Sequence, residues 1–188
     1  ADNGSLAYSG DGTYSNCSIH VTDRAGNVGS INIPEYRVDV VPPTVVRFSP
    51  ADNVTSVARD SNIIIEFSEV MDTTTVTANT GSSCSGTIQV SSDDFVSCIA
   101  MTAGPSSPDN ITFIFDPASD FAETTTYKIR VASTVEDVVG NTMVSNDETP
   151  HGFESADAGA PVITQLTMFL SPTNDTAPSY SFRVNESV

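Results

Sequence analysis

Short runs in which apolar and polar residues alternate recur along this chain, separated by clusters of Pro, Gly, Asn and Asp. Apolar residues at every second position indicate β-strands that turn one face toward a core. The pattern predicts central strands over residues 44–48, 62–68, 87–90, 110–115, 127–132 and 142–145. Helical periodicity is nearly absent. About seven short strands in roughly 115 residues predict an all-β fold, an immunoglobulin-like β-sandwich.

Two segments are repeated within the chain, and each repeat marks a corresponding place in a sandwich. Residues 48–55 resemble residues 169–176, and both sets end a first strand and continue into the loop that follows it. The turn 23–27 resembles the turn 137–141, and both have an Asp at the start, Gly-Asn at the end and strand-like residues on either side. We therefore interpret both turns as the loop of a final hairpin.

The boundaries between modules follow from two matching linkers. Asp39 stands four residues before Pro43, and Asp157 stands four residues before Pro161, with β-branched residues after each proline. The predicted parts are the C-terminal half of a module over 1–38, a complete module over 39–156 and the N-terminal strands of a next module over 157–188. This arrangement is typical of a tandem array or a head-to-tail polymer.

A tyrosine opens the strand that precedes each of the two similar turns. These residues are Tyr14 and Tyr127. Their position is typical of the tyrosine corner of sandwich folds, in which the hydroxyl group bonds to backbone a few residues upstream. We expect both tyrosines to have this structural role.

The charge balance excludes one class of partner and favours another. The 188 residues include 24 Asp and Glu but only 7 Lys and Arg, which gives a net charge of −17. Nucleic acid is not an expected partner because few basic residues are present to neutralise phosphates. Divalent cations are an expected partner because they relieve repulsion among carboxylates. The alternative is that the acidic surface serves solubility alone.

The three cysteines indicate one disulfide. Cys84 and Cys98 lie in a turn-rich segment, and in an extracellular protein their spacing favours a disulfide over a metal site. Cys17 is left over, either as a buried free thiol or as the partner of a cysteine elsewhere. No apolar run reaches the length of a membrane span, and the first residues lack a signal segment. If the protein is secreted, we expect its signal to lie outside this chain.

Several motifs of the central segment resemble a known family. They are Pro42-Pro43-Thr44, Ser49-Pro50-Ala51-Asp52-Asn53, Phe67-Ser68-Glu69-Val70-Met71-Asp72, Thr125-Thr126-Tyr127 and Asp137-Val138-Val139-Gly140-Asn141. Together they resemble the bacterial Ig-like domains of large surface, S-layer-type and adhesin-like proteins. The outer segments resemble another bacterial Ig-like repeat. The resemblance implies an extracellular or cell-surface protein of bacterial origin.

Sandwich topology brings acidic residues of the central module to one pole. The incoming linker, the loop after the second strand and the final hairpin loop all lie at the pole where the chain enters. The residues concerned are Asp39 in the linker, Glu69 and Asp72 in the loop, and Asp137 and Asn141 in the hairpin. Hard oxygen ligands from separate loops suit Ca²⁺, which accepts six to eight of them in loose geometry. We therefore predict a calcium site at this pole.

The same reasoning extends to the outer segments, with one alternative left open. Asp157 with Glu186, and Asp23 with Asn27, are predicted to occupy equivalent positions there. However, an Asp-x-x-Gly-Asn segment is also a good hairpin turn, because Asp bonds to the turn backbone while Gly and Asn accept positive φ. A single turn of this kind is compatible with either role.

The sequence favours a structural protein over an enzyme. The two histidines, His20 and His151, have no evident catalytic partner, and no nucleophile motif, phosphate loop or zinc-type spacing is present. One hypothesis is an extracellular filament whose chains complete one another's modules by strand donation, with copies of the chain or adjacent Ig-like modules as partners. The alternative is a segment of a long adhesin that binds a receptor or glycan through other regions.

Overall fold

The computed structural model describes residues 10–165, 176 and 181–185, and every regular element in that part of the chain is a β-strand. The strands are β1 (Gly12–Tyr14), β2 (Ser18–Thr22), β3 (Val28–Asn32), β4 (Tyr36–Val38), β5 (Val45–Ser49), β6 (Ile63–Phe67), β7 (Ile88–Ser91), β8 (Thr112–Phe115), β9 (Thr126–Val131), β10 (Asp147–Glu148), β11 (Phe153–Glu154), β12 (Ile163–Gln165) and β13 (Phe182–Val184). The predicted all-β class is confirmed.

Strands β5 to β11 form two antiparallel sheets that enclose one core. The first sheet has the order β5-β6-β8, and in the second sheet β9 pairs with β7 on one side and with β10 and β11 on the other. Alternation decides which residues face inward. In β6, for example, Ile63, Ile65 and Phe67 are buried while Ile64 and Glu66 are half-buried on the opposite face.

An aromatic cluster closes one end of this core. Phe121, Tyr127 and Phe153 are buried with ring centroids 4.7–5.7 Å apart. The Tyr127 hydroxyl accepts a hydrogen bond of 2.9 Å from the N–H of Ala122. In the same way the Tyr14 hydroxyl donates to the carbonyl of Gly10 at 3.1 Å. Both tyrosine hydroxyl groups therefore bond to upstream backbone as predicted. Tyr127 lies near the start of β9, whereas Tyr14 is the last residue of β1 and does not open β2, the strand that precedes the turn 23–27.

The outer segments form small antiparallel pairs of their own. Strand β1 pairs with β4, β2 pairs with β3 across the turn 23–27, and β12 pairs with β13. The residues of the buried hydrophobic cluster all lie between Val57 and Phe153. The division of the chain at 38 and 156 stays a prediction.

The final hairpin of the central module differs from the predicted strand over 142–145. Only Thr142 pairs, in an isolated bridge with Glu136, and Val144 is exposed. The reason is that the side chain of Asn146 takes the place of a backbone acceptor, since its Oδ1 accepts the N–H of Ser133 at 2.8 Å. Regular pairing with β9 resumes only at β10.

The predicted disulfide between Cys84 and Cys98 is present, and it closes the segment that contains β7. Cys98 is buried, and its N–H donates to the carbonyl of Ser82 at 3.0 Å. Cys17 is half-buried and is not in a disulfide. In the described part of the chain, no helix has the length and apolar character needed to cross a membrane.

The double substitution Cys84→Ser with Cys98→Ser should destabilise the central module. A sequence separation of 14 corresponds to a chain-entropy contribution of about 3 kcal/mol to the free energy of unfolding. Urea unfolding followed by circular dichroism measures the loss of stability. Cys17→Ser is the control, because Cys17 forms no disulfide. An unchanged urea midpoint in the double variant would show that the disulfide does not restrain this segment.

Candidate metal centre

Three of the predicted ligands meet where the linker enters the central module. One carboxylate oxygen from each of Asp39, Glu69 and Asp137 lies within 4.8 Å of the other two. Asp39 follows β4 in the linker, Glu69 follows β6, and Asp137 begins the final hairpin. Residues from three separate parts of the chain therefore form one acidic group at this pole, which we call the boundary cluster.

Asp137 is the buried anchor of the boundary cluster. Its Oδ1 accepts the N–H groups of Val139 and Asn141 at 2.8 and 2.9 Å, and its Oδ2 accepts Nδ2 of Asn141 at 2.7 Å. Burial acts to raise the pKa of Asp137, but these hydrogen bonds and that of Gly140 outweigh it and lower the pKa below the usual value. Asp137 is therefore held as a carboxylate inside the fold.

The Nδ2 of Asn141 also donates to the backbone carbonyl of Asp39 at 3.2 Å, which fixes the linker against the hairpin. Asn141 thus presents its amide nitrogen to Asp39 and Asp137 and positions both of them. These bonds use only the amide nitrogen of Asn141, and its predicted role as an oxygen ligand stays a prediction.

Repulsion among the carboxylates is concentrated on Glu69. Burial raises the pKa of Glu69 above its usual value, and the charges of Asp39 and Asp137 raise it further. Asp11, which precedes β1, adds a smaller effect of the same sign, while Arg37 acts in the opposite direction. The cluster therefore holds more negative charge than its surroundings compensate.

Arg37 is the one protein cation that pairs with the boundary cluster among the described ion pairs. Its guanidinium nitrogen lies 3.8 Å from Oδ2 of Asp39, and the Arg37 side chain is largely exposed. A contact of this length at the surface contributes little to stability. The sequence prediction missed Arg37 and Asp11 because both lie before the predicted module boundary at residue 38. The pairing of β1 with β4 brings the two residues together beside the linker, so a prediction of that pairing would have found them.

The geometry of the boundary cluster fits Ca²⁺. Two oxygens that both bind Ca²⁺ at 2.3–2.6 Å lie at most about 5.2 Å apart, and the three carboxylates satisfy that limit. The donors are hard carboxylate oxygens, which suit Ca²⁺ better than softer metals. An ion here would join the linker, the loop after β6 and the final hairpin.

Asp72 does not belong to the boundary cluster. Its Oδ1 accepts the N–H and the hydroxyl of Thr74 at 2.9 and 2.8 Å, which makes a local turn after Met71. These hydrogen bonds lower the pKa of Asp72. Thr74 is thus a local partner of the Asp72 carboxylate, and a metal role for Asp72 stays a prediction.

The turn at Asp23 repeats the Asp137 turn bond by bond. Oδ1 of Asp23 accepts the N–H groups of Ala25 and Asn27 at 2.9 and 2.8 Å, and Oδ2 accepts Nδ2 of Asn27 at 2.8 Å. The glycines of the two turns have φ of +93° and +94°, which other residues rarely adopt. Asp23 and Asn27 are exposed, and among the described residues no further acid joins them in a group of three.

The remaining predicted ligand, Asp157, is exposed. Its Oδ1 accepts the N–H of Gly159 at 2.8 Å, as Oδ1 of Asp39 accepts the N–H of Val41 at 3.2 Å. Glu186, its predicted companion, lies outside the described residues. A metal role for Asp157 and for Asp23 with Asn27 stays a prediction.

Both histidines have local contacts. Nδ1 of His151 lies 2.9 Å from Oδ2 of Asp52, whose other oxygen accepts the N–H groups of His151 and Gly152 at 2.9 and 2.7 Å. These bonds join the loop after β5 to the start of β11. His20 lies on the exposed strand β2 with its Nε2 2.8 Å from the hydroxyl of Ser18.

A family model described as a bacterial Ig-like domain matches residues 39–154, which is more than half of the chain. This chain belongs to the bacterial Ig-like domain family. The predicted immunoglobulin-like sandwich and the family resemblance are thereby confirmed. The boundary cluster lies at the entry pole of the matched Ig-like domain.

Solved structures of one protein are also similar to this chain at low identity. A structure of domains 1–6 of the surface layer protein SbsC is 14% identical with a TM-score of 0.42 and covers 68% of this chain. A structure of the S-layer protein rSbsC(31–844) is 15% identical, with a TM-score of 0.40 over 68% of this chain. The N-terminal part of the bacterial S-layer protein SbsC is 14% identical, with a TM-score of 0.42 over 66%.

This Ig-like chain matches only a small part of those proteins, because the matched regions cover 15%, 15% and 26% of their lengths. No curated protein sequence matches the chain significantly.

Glu69→Gln should stabilise the metal-free Ig-like module. A raised pKa means that the folded state binds the proton more tightly than the unfolded state, so charged Glu69 reduces stability increasingly as the pH rises above 4.5. Removing that charge should raise the free energy of unfolding at pH 7 by about 0.2–1 kcal/mol, the usual scale of such pairs. At about pH 3 the variant and the wild type should be equally stable, since Glu69 is then protonated in both states.

Urea unfolding in EDTA at the two pH values measures this difference. Glu154→Gln is the matched control because Glu154 is exposed and has no ion pair among those described. A Glu69→Gln variant less stable than the wild type at pH 7 would contradict the assigned repulsion.

Proposed function

We propose that this chain is a structural segment of a bacterial extracellular filament or surface fibre, built from head-to-tail Ig-like modules that Ca²⁺ stiffens at their boundaries. The observation that carries the proposal is the boundary cluster, in which the linker residue Asp39 meets Glu69 and Asp137 of the following module. The role is mechanical, and it requires no reaction at the site.

The linker is short and already held on one side, so a single bound ion would be enough to remove most of its remaining conformational freedom. Strand β4 ends at Val38 and β5 begins at Val45, and Pro43 within the connection is buried. The bond from Asn141 to the Asp39 carbonyl already holds the linker on one side. An ion bound to the Asp39 carboxylate would add a second attachment and leave the connection few ways to bend.

Ca²⁺ would also remove the main electrostatic cost of this arrangement. Without a cation, Glu69 is close to two other carboxylates and its pKa is raised. A divalent ion at the centre converts that repulsion into attraction, and extracellular modules bind Ca²⁺ with dissociation constants of about 10⁻⁴–10⁻³ M. The stiffness of the array would then depend on the calcium concentration outside the cell.

The corresponding residues of the outer segments extend the proposal along an array. Asp157 stands in the linker to the next module, as Asp39 stands in the linker to the central one, and Asp23 and Asn27 form the same turn as Asp137 and Asn141. We propose that they supply equivalent boundary sites in neighbouring modules. Each boundary would then be held in the same way.

Ca²⁺ should raise the thermal stability of the wild-type chain and Glu69→Gln should abolish that effect. Ligand at about 100 times its dissociation constant stabilises by about 2.7 kcal/mol, which corresponds to a rise of roughly 5–10 °C in Tm. Since Glu69→Gln is expected to raise stability in EDTA, its effect should reverse in sign when Ca²⁺ is present. Differential scanning calorimetry with EDTA or CaCl₂ measures both effects.

Asp72→Asn is the matched control, because Asp72 is a neighbouring acid outside the boundary cluster. Small-angle X-ray scattering of the same samples should show a narrower range of lengths with Ca²⁺. An identical Tm and scattering profile with and without Ca²⁺ would overturn the proposal. So would a full calcium response in Glu69→Gln.

A further inference from the structure

A cleft opens on one side of the central sandwich, between the edges of its two sheets. Ser106 pairs with Ile114 along the edge strand β8 of the first sheet, and Ala78 pairs with Ile88 along the edge strand β7 of the second sheet. The cleft between these two segments has a volume of about 560 Å³. Its walls come from within the matched Ig-like domain, and the residues of the boundary cluster do not line it.

The composition of the cleft fits a neutral occupant that carries hydroxyl groups. Val76 and Pro105 contribute apolar surface, while Thr73, Ser107 and Asn110 contribute polar side chains. None of the residues that line the cleft is charged, although the whole chain has a net charge of −17. Apolar surface with a few polar groups is the usual composition of a small-molecule site.

The backbone at Ala78 adds a hydrogen-bond donor to this cleft. The neighbouring Thr77 uses its backbone on the β7 side, since its N–H donates to Oγ1 of Thr87 at 2.8 Å and its carbonyl accepts the N–H of Ile88 at 3.0 Å. In a parallel pair the bonds to Ile88 come from the residues on either side of Ala78, so the N–H of Ala78 points away from β7. It donates to no acceptor among the described hydrogen bonds.

An N-glycosylation motif lies on the wall of this cleft. Asn110 lines the cleft and begins the sequence Asn110-Ile111-Thr112, and Asn-x-Ser/Thr is the acceptor motif for N-linked sugars on surface loops. Asn110 is exposed, and its backbone is fixed because its N–H donates to Oγ of Ser107 at 2.9 Å and its carbonyl accepts the N–H of Met71 at 2.8 Å. Its side-chain amide takes part in none of the described hydrogen bonds.

Asn53 has the same motif in a different environment. It begins Asn53-Val54-Thr55 and is exposed, and its φ of +62° is close to the +58° of Asn110. However, Nδ2 of Asn53 donates to Oδ2 of Asp52 at 3.1 Å and lies 3.3 Å from Nδ1 of His151. The amide nitrogen is the atom to which a sugar is attached. The two asparagines therefore differ at the reacting atom, which is engaged in Asn53 and accessible in Asn110.

We propose that Asn110 is an N-glycosylation site and that the adjoining cleft holds the first sugar of the glycan. Nδ2 of Asn110 forms a bond to the anomeric carbon of a glycosyl diphosphate donor, and the bond from that carbon to the diphosphate oxygen breaks. The diphosphate leaves with the electron pair, and a base of the transferase takes up the proton that the amide loses. The donor is a sugar activated by a nucleotide or by a lipid carrier. This inference depends neither on calcium binding nor on head-to-tail assembly.

Attachment to Asn110 favours binding of the sugar in the cleft. A sugar bonded to a side chain of the cleft wall is held at a high effective concentration beside the rest of the wall. Its hydroxyl groups can accept the N–H of Ala78 and bond to Thr73, while its ring contacts Pro105. A neutral sugar also adds no charge to a chain that is already strongly acidic.

Peptide mapping by mass spectrometry tests the modification on the native protein, isolated from the bacterium that produces it. The peptide that contains Asn110 should carry a glycan, and the peptide that contains Asn53 should be unmodified. A single added sugar would identify the nucleotide-activated donor, whereas an added oligosaccharide would identify the lipid-linked donor. An unmodified Asn110 would overturn the proposal, and so would equal occupancy of Asn53.

Two substitutions at Thr112, made in the same bacterium, form a matched pair. Thr112→Val removes the hydroxyl that the acceptor motif requires but keeps a β-branched side chain in β8, so the glycan on Asn110 should be lost. Thr112→Ser keeps the hydroxyl, and the glycan should remain. The Thr112 hydroxyl has only a 3.3 Å bond to Oδ2 of Asp109, so both variants should fold, which circular dichroism checks. A glycan that persists on Asn110 in Thr112→Val would contradict the motif-dependent attachment.

Hydrogen exchange tests the place of the sugar in the cleft. The N–H of Ala78 should exchange at least about tenfold more slowly in the glycosylated protein than in Thr112→Val, because a bound sugar accepts it and excludes water. The N–H of Thr77 is the internal control, since it already donates to Thr87 and should exchange equally in both proteins. Equal exchange of Ala78 in the two proteins would overturn the assignment of the cleft to the first sugar.

Discussion

The carboxylate of Asp137 is the group on which the entry pole of this module depends. It is buried, yet three hydrogen bonds from Val139 and Asn141 keep it ionised and fix the hairpin around it. Because Asn141 also holds the Asp39 carbonyl, the same turn places the linker. The carboxylate of Glu69 therefore lies close to a negative charge whose position is fixed, and Glu69, Asp137 and Asp39 together form the boundary cluster. The linker, the loop after β6 and the final hairpin are coupled through one side chain.

Comparison with the turn at Asp23 distinguishes properties of the local turn sequence from those that the surrounding tertiary structure creates. The two turns share their hydrogen bonds and their glycine conformation, so these are properties of the local sequence. The cluster of acids is found only at Asp137 among the described residues, because only there do a linker and an opening-strand loop lie against the hairpin. The sequence motif alone therefore defines a turn, and the tertiary arrangement around it creates a candidate ion site.

The alternating pattern was sufficient to predict β6, β8 and β9, because each buries every second residue and period-2 alternation depends only on local backbone geometry. The pattern did not predict β10 and β11, because each strand has only two residues. The chain just before β10 is held by a side-chain hydrogen bond, which Oδ1 of Asn146 accepts from the N–H of Ser133. The entry pole was found from topology, which brings Asp39, Glu69 and Asp137 together. The local hydrogen bonds of Asp72 to Thr74 could not be predicted, because the spacing of residues does not show whether a carboxylate takes a near or a distant partner.

In the proposed assembly, an ion at the boundary cluster would act on the angle between successive modules. It would bind the linker residue Asp39 together with Glu69 and Asp137 of the module that follows, and its effect would be sensitive to ionic conditions. A chain with a net charge of −17 would gain from such an ion, because a divalent cation relieves repulsion among carboxylates. Removing the cation would restore the repulsion at Glu69 and loosen the boundary.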